Sequence, residues 1–286
     1  MAALKLFFVK LYFLTKKEDK KNNLKKNHFR VFGKTPISYY GGKQNLARLI
    51  VDLIPEHTIY TEAFLGGAAI FFAKKPSKHE VVNDLNTALV TFYQVLSSDF
   101  GILRKLILET PASRKVHREA AFVLKYPEHH DRIKVAWALW VQTNMSFSSA
   151  ILKGYSGSTT RKLVNKKLAF TSALKKRLDR VDIECNDAIK VINSRDTVDT
   201  FHYIDPPYYN SNCGHYDGYT LEDFTNLLDT IADCKGKFLL SSYDSEVLDT
   251  YVQKYGWYQQ KIEKKVAVSS KTNKMKVEVL TANYPI

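Results

Sequence analysis

The chain has 286 residues, 45% of them hydrophobic, and no window approaches the roughly 18 uninterrupted apolar residues that a membrane-spanning helix needs, so one large soluble domain, with or without an insertion, is expected. Cys185, Cys213 and Cys234 are scattered and lack any Cys-x-x-Cys spacing, which argues against a disulfide scaffold or a cysteine zinc site and suits a reducing compartment. Lys and Arg number 43 against 29 Asp and Glu, and the net charge of +14 favours an anionic partner such as nucleic acid.

Much of that charge falls in two blocks. Residues 1–34 hold ten basic side chains against Glu18 and Asp19, and residues 153–180 hold nine against Asp179. The first block opens with an apolar stretch from Leu4 to Leu14 that is broken by Lys5 and Lys10 and followed by no small-residue cleavage site, so it reads as a basic arm rather than a signal peptide. A lysine-rich solvated tail is the plainer reading of that arm. Folding is expected to begin near Thr35.

Tyr39-Tyr40-Gly41-Gly42-Lys43 is a glycine turn leading into a periodic helix, and a turn of this kind lets backbone approach a ligand closely. Ile59 to Ala63 then reads as a buried strand, Phe64-Leu65-Gly66-Gly67 as a second glycine turn, and Ala68 to Lys74 as the start of a helix. Strand, glycine turn and helix form the first unit of a nucleotide-binding sheet. A further strand, Glu80 to Asn83, ends at Asp84, eighteen residues after Gly66, where an acidic side chain is expected on ribose hydroxyls. Asp84 equally fits a helix N-cap. Glu62, at the end of its strand, can reach a cofactor amine or satisfy backbone donors.

From Phe100 to Arg180 the periodicity becomes helical, with Trp137 and Trp140 at core spacing, and no strand fits. A polar stretch from Asn144 through Ser158 leads into the second basic block. Asn144, Ser146, Arg161, Lys162, Lys166 and Lys167 are therefore candidates for DNA phosphates or base edges.

Strand–helix alternation resumes at Val181 to Glu184, after which Asp187 can contact a cofactor or cap the next helix. Phe201 to Ile204 is a short apolar strand that must stop at Asp205, because Pro206 and Pro207 cannot continue a sheet ladder. A carboxylate at a buried strand end, followed by a rigid turn presenting Tyr208 and Tyr209, is a position where open α/β sheets place chemistry. Tyr209 to Tyr219 is a loop that either closes over a bound base or only connects. Lys237 to Ser242 is another strand, Ser245 to Tyr255 a helix, and Tyr258–Val268 with Met275–Ala282 a terminal hairpin.

Taken in order, Tyr39-Tyr40-Gly41-Gly42-Lys43, Glu62-Ala63-Phe64-Leu65-Gly66-Gly67, Asn83-Asp84 and Asp205-Pro206-Pro207-Tyr208 resemble the Dam-like, alpha-group DNA adenine N6-methyltransferases. The resemblance covers Ile37 to the C-terminus, and the glycine motif continues with Ala68 where many members carry a further glycine. It implies a Rossmann-like α/β sheet with a terminal β-hairpin, in which residues 35–90 and 181–286 form the catalytic domain and 91–180 a mainly helical inserted target-recognition domain, after a basic extension at 1–34. It also implies that Tyr39, Lys43, Phe64, Gly66, Asp84 and Asp187 line S-adenosylmethionine; Glu62 stands beside them as a cofactor candidate on its own position, and the chemistry calls for no metal.

An exocyclic adenine amine is a poor nucleophile because its lone pair is delocalised into the ring. Two acceptors on its hydrogens, the Asp205 carboxylate and the Pro206 carbonyl, would localise that pair, and Tyr208 would stack on a base extruded from the duplex. The expected partners are double-stranded DNA and, as a second candidate, a companion restriction endonuclease, with no membrane. The expected state is a monomer in a bacterial or phage-infected cytoplasm, at the nucleoid. The same tetrapeptide would also serve an N4-cytosine or RNA methyltransferase, and a non-catalytic DNA-binding relative could keep the fold.

Overall fold

The computed structural model describes residues 35–157, 159–209, 218–265 and 275–286. The arm at 1–34 and residues 210–217, which include His215 and Tyr216, lie outside the described residues.

The N-terminal half alternates α1 (Ala47–Asp52), β1 (Ile59–Glu62), α2 (Ala69–Ala73) and β2 (His79–Asn83), with boundaries within two residues of those expected. A run of six helices follows: α3 (Thr87–Ser98), α4 (Phe100–Glu109), α5 (Arg114–Lys125), α6 (Arg132–Met145), α7 (Thr159–Ala169) and α8 (Ser172–Leu178). The alternation then resumes with β3 (Val181–Glu184), α9 (Ala188–Arg195), β4 (Thr200–Ile204), α10 (Leu221–Ala232), β5 (Lys237–Tyr243) and α11 (Glu246–Tyr255), and closes with β6 (Tyr258–Lys265) and β7 (Met275–Ala282). Local chemistry sets several of these limits. Asn86, Ser113, Asp131, Thr220 and Ser245 each accept a backbone N–H in the first turn of α3, α5, α6, α10 and α11, and Gly256 ends α11 in the left-handed region at φ 65°.

The seven strands form one sheet in the order β3-β2-β1-β4-β5-β7-β6. The first five are parallel, whereas β7 lies antiparallel between β5 and β6. The order reverses between β1 and β4, which pair with Ile59 opposite Thr200 and Glu62 opposite Tyr203. Their carboxyl ends therefore open side by side at the switch point, where crevices form in open α/β sheets. β4 is buried at every residue, as its unbroken apolar run requires.

Among the described residues the stretch between β2 and β3 contains no strand, only an isolated bridge between Ser146 and Tyr155. α6 is buried at every position from Val135 to Met145, so it is the centre of the helical region rather than its surface. The two tryptophans lie in its core: Trp137 Nε1–H donates to Thr110 Oγ1 (2.8 Å) and Trp140 Nε1–H to the Pro36 carbonyl (3.1 Å). Trp140 belongs to the same apolar cluster as Phe71, Tyr203 and Leu239 of the sheet layers, and α3 runs continuously across residue 90. The helical region thus shares its core with the sheet.

A second tie is ionic. Arg177 on α8 donates to the Phe71 carbonyl (3.2 and 2.9 Å) and to both oxygens of Glu80 on β2, while Lys74 Nζ lies 2.5 Å from the same carboxylate. All three side chains are buried.

Candidate active site

A cleft of about 1330 Å³ opens at the carboxyl ends of β1 and β4. Tyr39, Lys43, Glu62, Phe64, Gly66, Asp84, Asp187, Asp205, Pro206 and Tyr208 all line it, so the sequence-expected cofactor and catalytic residues converge on one concavity.

Its floor is the turn after β1. Gly66 takes φ 48°, and a Cβ there would stand 3.3 Å from the Tyr39 ring; at Gly67 a Cβ would lie 2.9 Å from Tyr39 Cβ. Both glycines are required by the close approach of Tyr39. Ala68 follows at φ 56°, a left-handed conformation that costs a residue with a Cβ roughly 1–2 kcal/mol, at the position where a further glycine is common in the resembled family. Asp84 holds this turn: Oδ2 accepts the Gly66 N–H and Oδ1 the Asn86 N–H, each at 2.9 Å. Burial raises its carboxyl above the usual range despite those donors. Asp187 caps α9, accepting the Lys190 N–H at 3.0 Å, and also lines the cleft.

The donor set and shape suit S-adenosylmethionine. Gly66 clears a path along the backbone, Phe64 and the unforeseen Leu85, an apolar side chain left 76% exposed on the rim, offer faces to a ring, and Glu62 and Asp187 supply carboxylates. Glu62 is buried, and Oε2 accepts the Tyr60 hydroxyl at 2.6 Å. Burial pushes its carboxyl up to about 8.

The second half of the cleft is a charged knot around Asp205. Lys43 Nζ donates to Oδ1 at 2.6 Å and to Oδ2 at 2.8 Å, lies 3.4 Å from Glu278 Oε1, and donates to the Gly41 carbonyl at 3.3 Å. The Tyr208 hydroxyl meets Asp205 Oδ1 (3.2 Å), Ser241 Oγ (3.2 Å) and Glu278 Oε1, while Ser241 Oγ donates to Glu278 Oε1 at 2.7 Å. Tyr243 packs edge-on against the Tyr208 ring at 4.3 Å. Burial pushes the Asp205 carboxyl up, with Lys43 opposing. Burial alone would lower Lys43, but Asp205 and Glu278 hold its ammonium above the ordinary lysine value. Lys43, expected among the cofactor ligands, therefore sits on the carboxylate expected to do the chemistry. Glu278 and Ser241 were not anticipated, although a single carboxylate inside the buried run Val277-Glu278-Val279-Leu280 was a readable signal.

Residues 148–153 form the opposite wall, with Ser148, Ser149 and Leu152 all at positive φ and Phe147 exposed beside them. Two expected DNA contacts are corrected. Asn144 and Ser146 are buried; the Asn144 amide donates to the Trp140 carbonyl (2.9 Å) and Ser146 Oγ meets His117 Nε2 (2.9 Å). They lie at the buried C-terminal end of α6, with their side chains turned into the protein. Of the basic candidates, Arg161 is exposed, Lys162 donates to Ser149 Oγ on the cleft wall (3.0 Å), and Lys166 and Lys167 donate to the carbonyls of Thr35 (3.1 Å) and Leu108 (2.8 Å).

Among the described residues Asp196, His202 and Cys234 form the one group with metal-ligand atom types in mutual reach. Asp196 already accepts the backbone N–H groups of Lys235 and Gly236 at 2.8 Å, and His202 Nδ1 meets Thr61 Oγ1 at 2.7 Å, so the cluster ties loops together away from the cleft. No described helix is long and apolar enough to cross a membrane.

Residues 39–268 match the family described as D12 class N6 adenine-specific DNA methyltransferase. Among curated proteins, the chain is similar to the Type II methyltransferase M1.LlaDCHI of Lactococcus lactis subsp. cremoris, with 26% identity over 289 residues, covering 92% of this chain and 99% of that protein.

Proposed function

The chain belongs to the D12 class N6 adenine-specific DNA methyltransferases, and from that premise we propose how its own residues carry the reaction. The enzyme methylates adenine N6 in DNA. Its methyl donor is S-adenosylmethionine, which supplies an electrophilic methyl group on a sulfonium.

Tyr39, Phe64, Gly66 and Leu85 seat the nucleoside half of the donor along the backbone of the glycine turn, with Asp84 fixing the turn and accepting from ribose hydroxyls. Glu62 takes the donor's amino group, and Asp187 closes the rim. The target adenine leaves the duplex and enters beside Tyr208. Asp205 and the Pro206 carbonyl accept its two N6 hydrogens, which draws the nitrogen lone pair out of the ring toward the methyl group. The prolines fix the direction of that carbonyl. The observation that carries this reading is the placement of Gly66 and Asp205 just beyond the carboxyl ends of the adjacent parallel strands β1 and β4, lining one cleft.

Arg161 and Lys162, beside the cleft wall at 148–153, with Lys166 and Lys167 further along α7, form the DNA-facing surface. Residues 91–180 act as the target-recognition region on the catalytic frame of 35–90 and 181–286. The protein works as a monomer on double-stranded DNA at the nucleoid in the cytoplasm of a bacterial or phage-infected cell. The Type II description of its relative supports a companion endonuclease.

The test is Asp205→Ala. Methyl transfer to unmethylated duplex DNA should fall about 1000-fold or more, the size expected when a preorganised electrostatic group is lost. Cofactor affinity by calorimetry should change little. Unchanged turnover would sink the assignment.

A further inference from the structure

Asp205 accepts three hydrogen bonds in this structure. Lys43 spans both of its oxygens at 2.6 and 2.8 Å, and the Tyr208 hydroxyl adds a contact at 3.2 Å. A carboxylate offers about four acceptor positions, so a base amine meets a carboxylate that Lys43 and Tyr208 already crowd. Opening it further moves an ammonium whose side chain is only 7% exposed, and a buried ammonium without a counter-ion is strongly disfavoured.

The structure supplies a second counter-ion. Glu278 Oε1 already stands 3.4 Å from Lys43 Nζ, on β7 rather than in the turns after β1 and β4 that carry Gly66 and Asp205, and its side chain is 5% exposed. Ser241 Oγ (2.7 Å) and the Tyr208 hydroxyl hold that carboxylate oxygen toward the knot. Glu278 lies beyond the stretch 39–268 that matches the family. The knot therefore contains two carboxylates sharing one ammonium, an arrangement in which one acid can be released while the cation stays paired.

Resting on the proposed role of Asp205 as the amine acceptor, we infer that Glu278 is a positioning residue for the reaction. As the target amine docks on Asp205, Lys43 swings from Asp205 to Glu278 by rotation of its terminal torsions. The neutral amine enters, no proton moves, and the charge of the knot is unchanged. Tyr208 and Ser241 keep Glu278 in place to receive the ammonium, and the same hydroxyl contact links the aromatic that meets the base to the exchange.

The experiment measures single-turnover methyl transfer to unmethylated duplex DNA of mixed sequence, with cofactor binding by calorimetry as a fold check. Glu278→Gln keeps the shape and the oxygen that Ser241 and Tyr208 contact but removes the charge. It should lower kcat about 100-fold, the order of one lost electrostatic partner, with donor affinity and the KM for DNA little changed. Glu278→Asp should recover most of that loss. In a Lys43→Met background there is no ammonium to receive, so adding Glu278→Gln should cost less than about threefold, a non-additivity expected of coupled neighbours.

Three results would overturn the inference: wild-type kcat in Glu278→Gln, an equal fold loss in both backgrounds, or a Glu278→Asp enzyme as slow as Glu278→Gln. Asp205→Ala, run alongside, separates the two readings. If it is inactive while Glu278→Gln is at wild-type rate, only the lysine exchange fails; if it retains turnover, the role of Asp205 fails and the exchange with it.

Discussion

Two buried lysine–carboxylate knots lie on the same sheet, and they differ in charge balance and access. At the back, Lys74 and Arg177 share one carboxylate, Glu80, and their charged groups lie over aromatic rings, the Lys74 ammonium over Tyr60 at 4.0 Å and the Arg177 guanidinium over Phe71 at 3.6 Å. At the cleft, one ammonium, Lys43, faces two carboxylates, Asp205 and Glu278. The first knot spends its only acid on two cations and joins the helical region to β2. The second sets two carboxylates around Lys43 beside a cavity of about 1330 Å³. Burial and pairing are common to both, so they do not mark a site; two acids converging on a cation at a cleft do.

The comparison is broken most sharply by exchanging perturbations. Removing Glu80 as Glu80→Gln leaves two buried cations without their acid, and stability should fall by about 3 kcal/mol or more, read from chemical denaturation, while kcat per folded molecule stays within about threefold of wild type. Asp205→Ala should do the reverse, abolishing turnover with a folded, cofactor-binding protein. If Glu80→Gln lost activity without losing stability, the back knot would belong to the chemistry after all.

A smaller effect sharpens the cleft side. Burial raises Glu62 to about 8, above its unfolded value, so between the two the native state holds a proton that the unfolded chain has lost. Its contribution to stability is therefore complete below the unfolded pKa and is lost as pH rises through about 8. Glu62→Gln should flatten that part of the stability curve. Calorimetry at pH 7 in buffers of different ionisation enthalpy should also show proton release when S-adenosylmethionine binds, because the donor's amino group favours the carboxylate. A wild-type curve as flat as that of Glu62→Gln would contradict this placement.

The smallest and most diffuse effect belongs to the basic surface. Neutralising Arg161, Lys162, Lys166 and Lys167 together should weaken DNA binding and reduce its salt dependence, with the largest share at Arg161 and Lys162. Lys166 and Lys167 already donate to backbone carbonyls and should contribute less. Affinity and salt slope at wild-type values would move the DNA surface elsewhere.

The parallel centre of the sheet was readable because β1, β2 and β4 are short, largely apolar runs closed by a glycine turn, an acidic residue or a proline pair, signals that act within a few residues. Gly66, Asp84 and Asp205 were legible for the same reason. The partnership of Lys43 with Asp205 spans 162 residues of sequence, and the reach of Glu278 depends on β7 lying between β5 and β6, so neither follows from local pattern. Asn144 and Ser146 were misplaced at the surface because their polarity suggested a loop. Burial from Val135 to Met145 is continuous around the helix, and the Gln142 and Asn144 amides within it donate to backbone carbonyls instead. The division at residue 90 came with the family resemblance, yet α3 crosses that point and the core is shared, because a helix can belong to the sheet's cover and to the inserted bundle at once.

The central claim is that Asp205, once released by Lys43, is the acceptor that makes an adenine amine nucleophilic. Digestion of methylated duplex DNA to nucleosides, with wild-type enzyme and with Asp205→Ala, tests it most directly. The account predicts N6-methyladenine as the product of the wild type and none above background from the variant. Methylated cytosine from the wild type, or undiminished N6-methyladenine from Asp205→Ala, would contradict it.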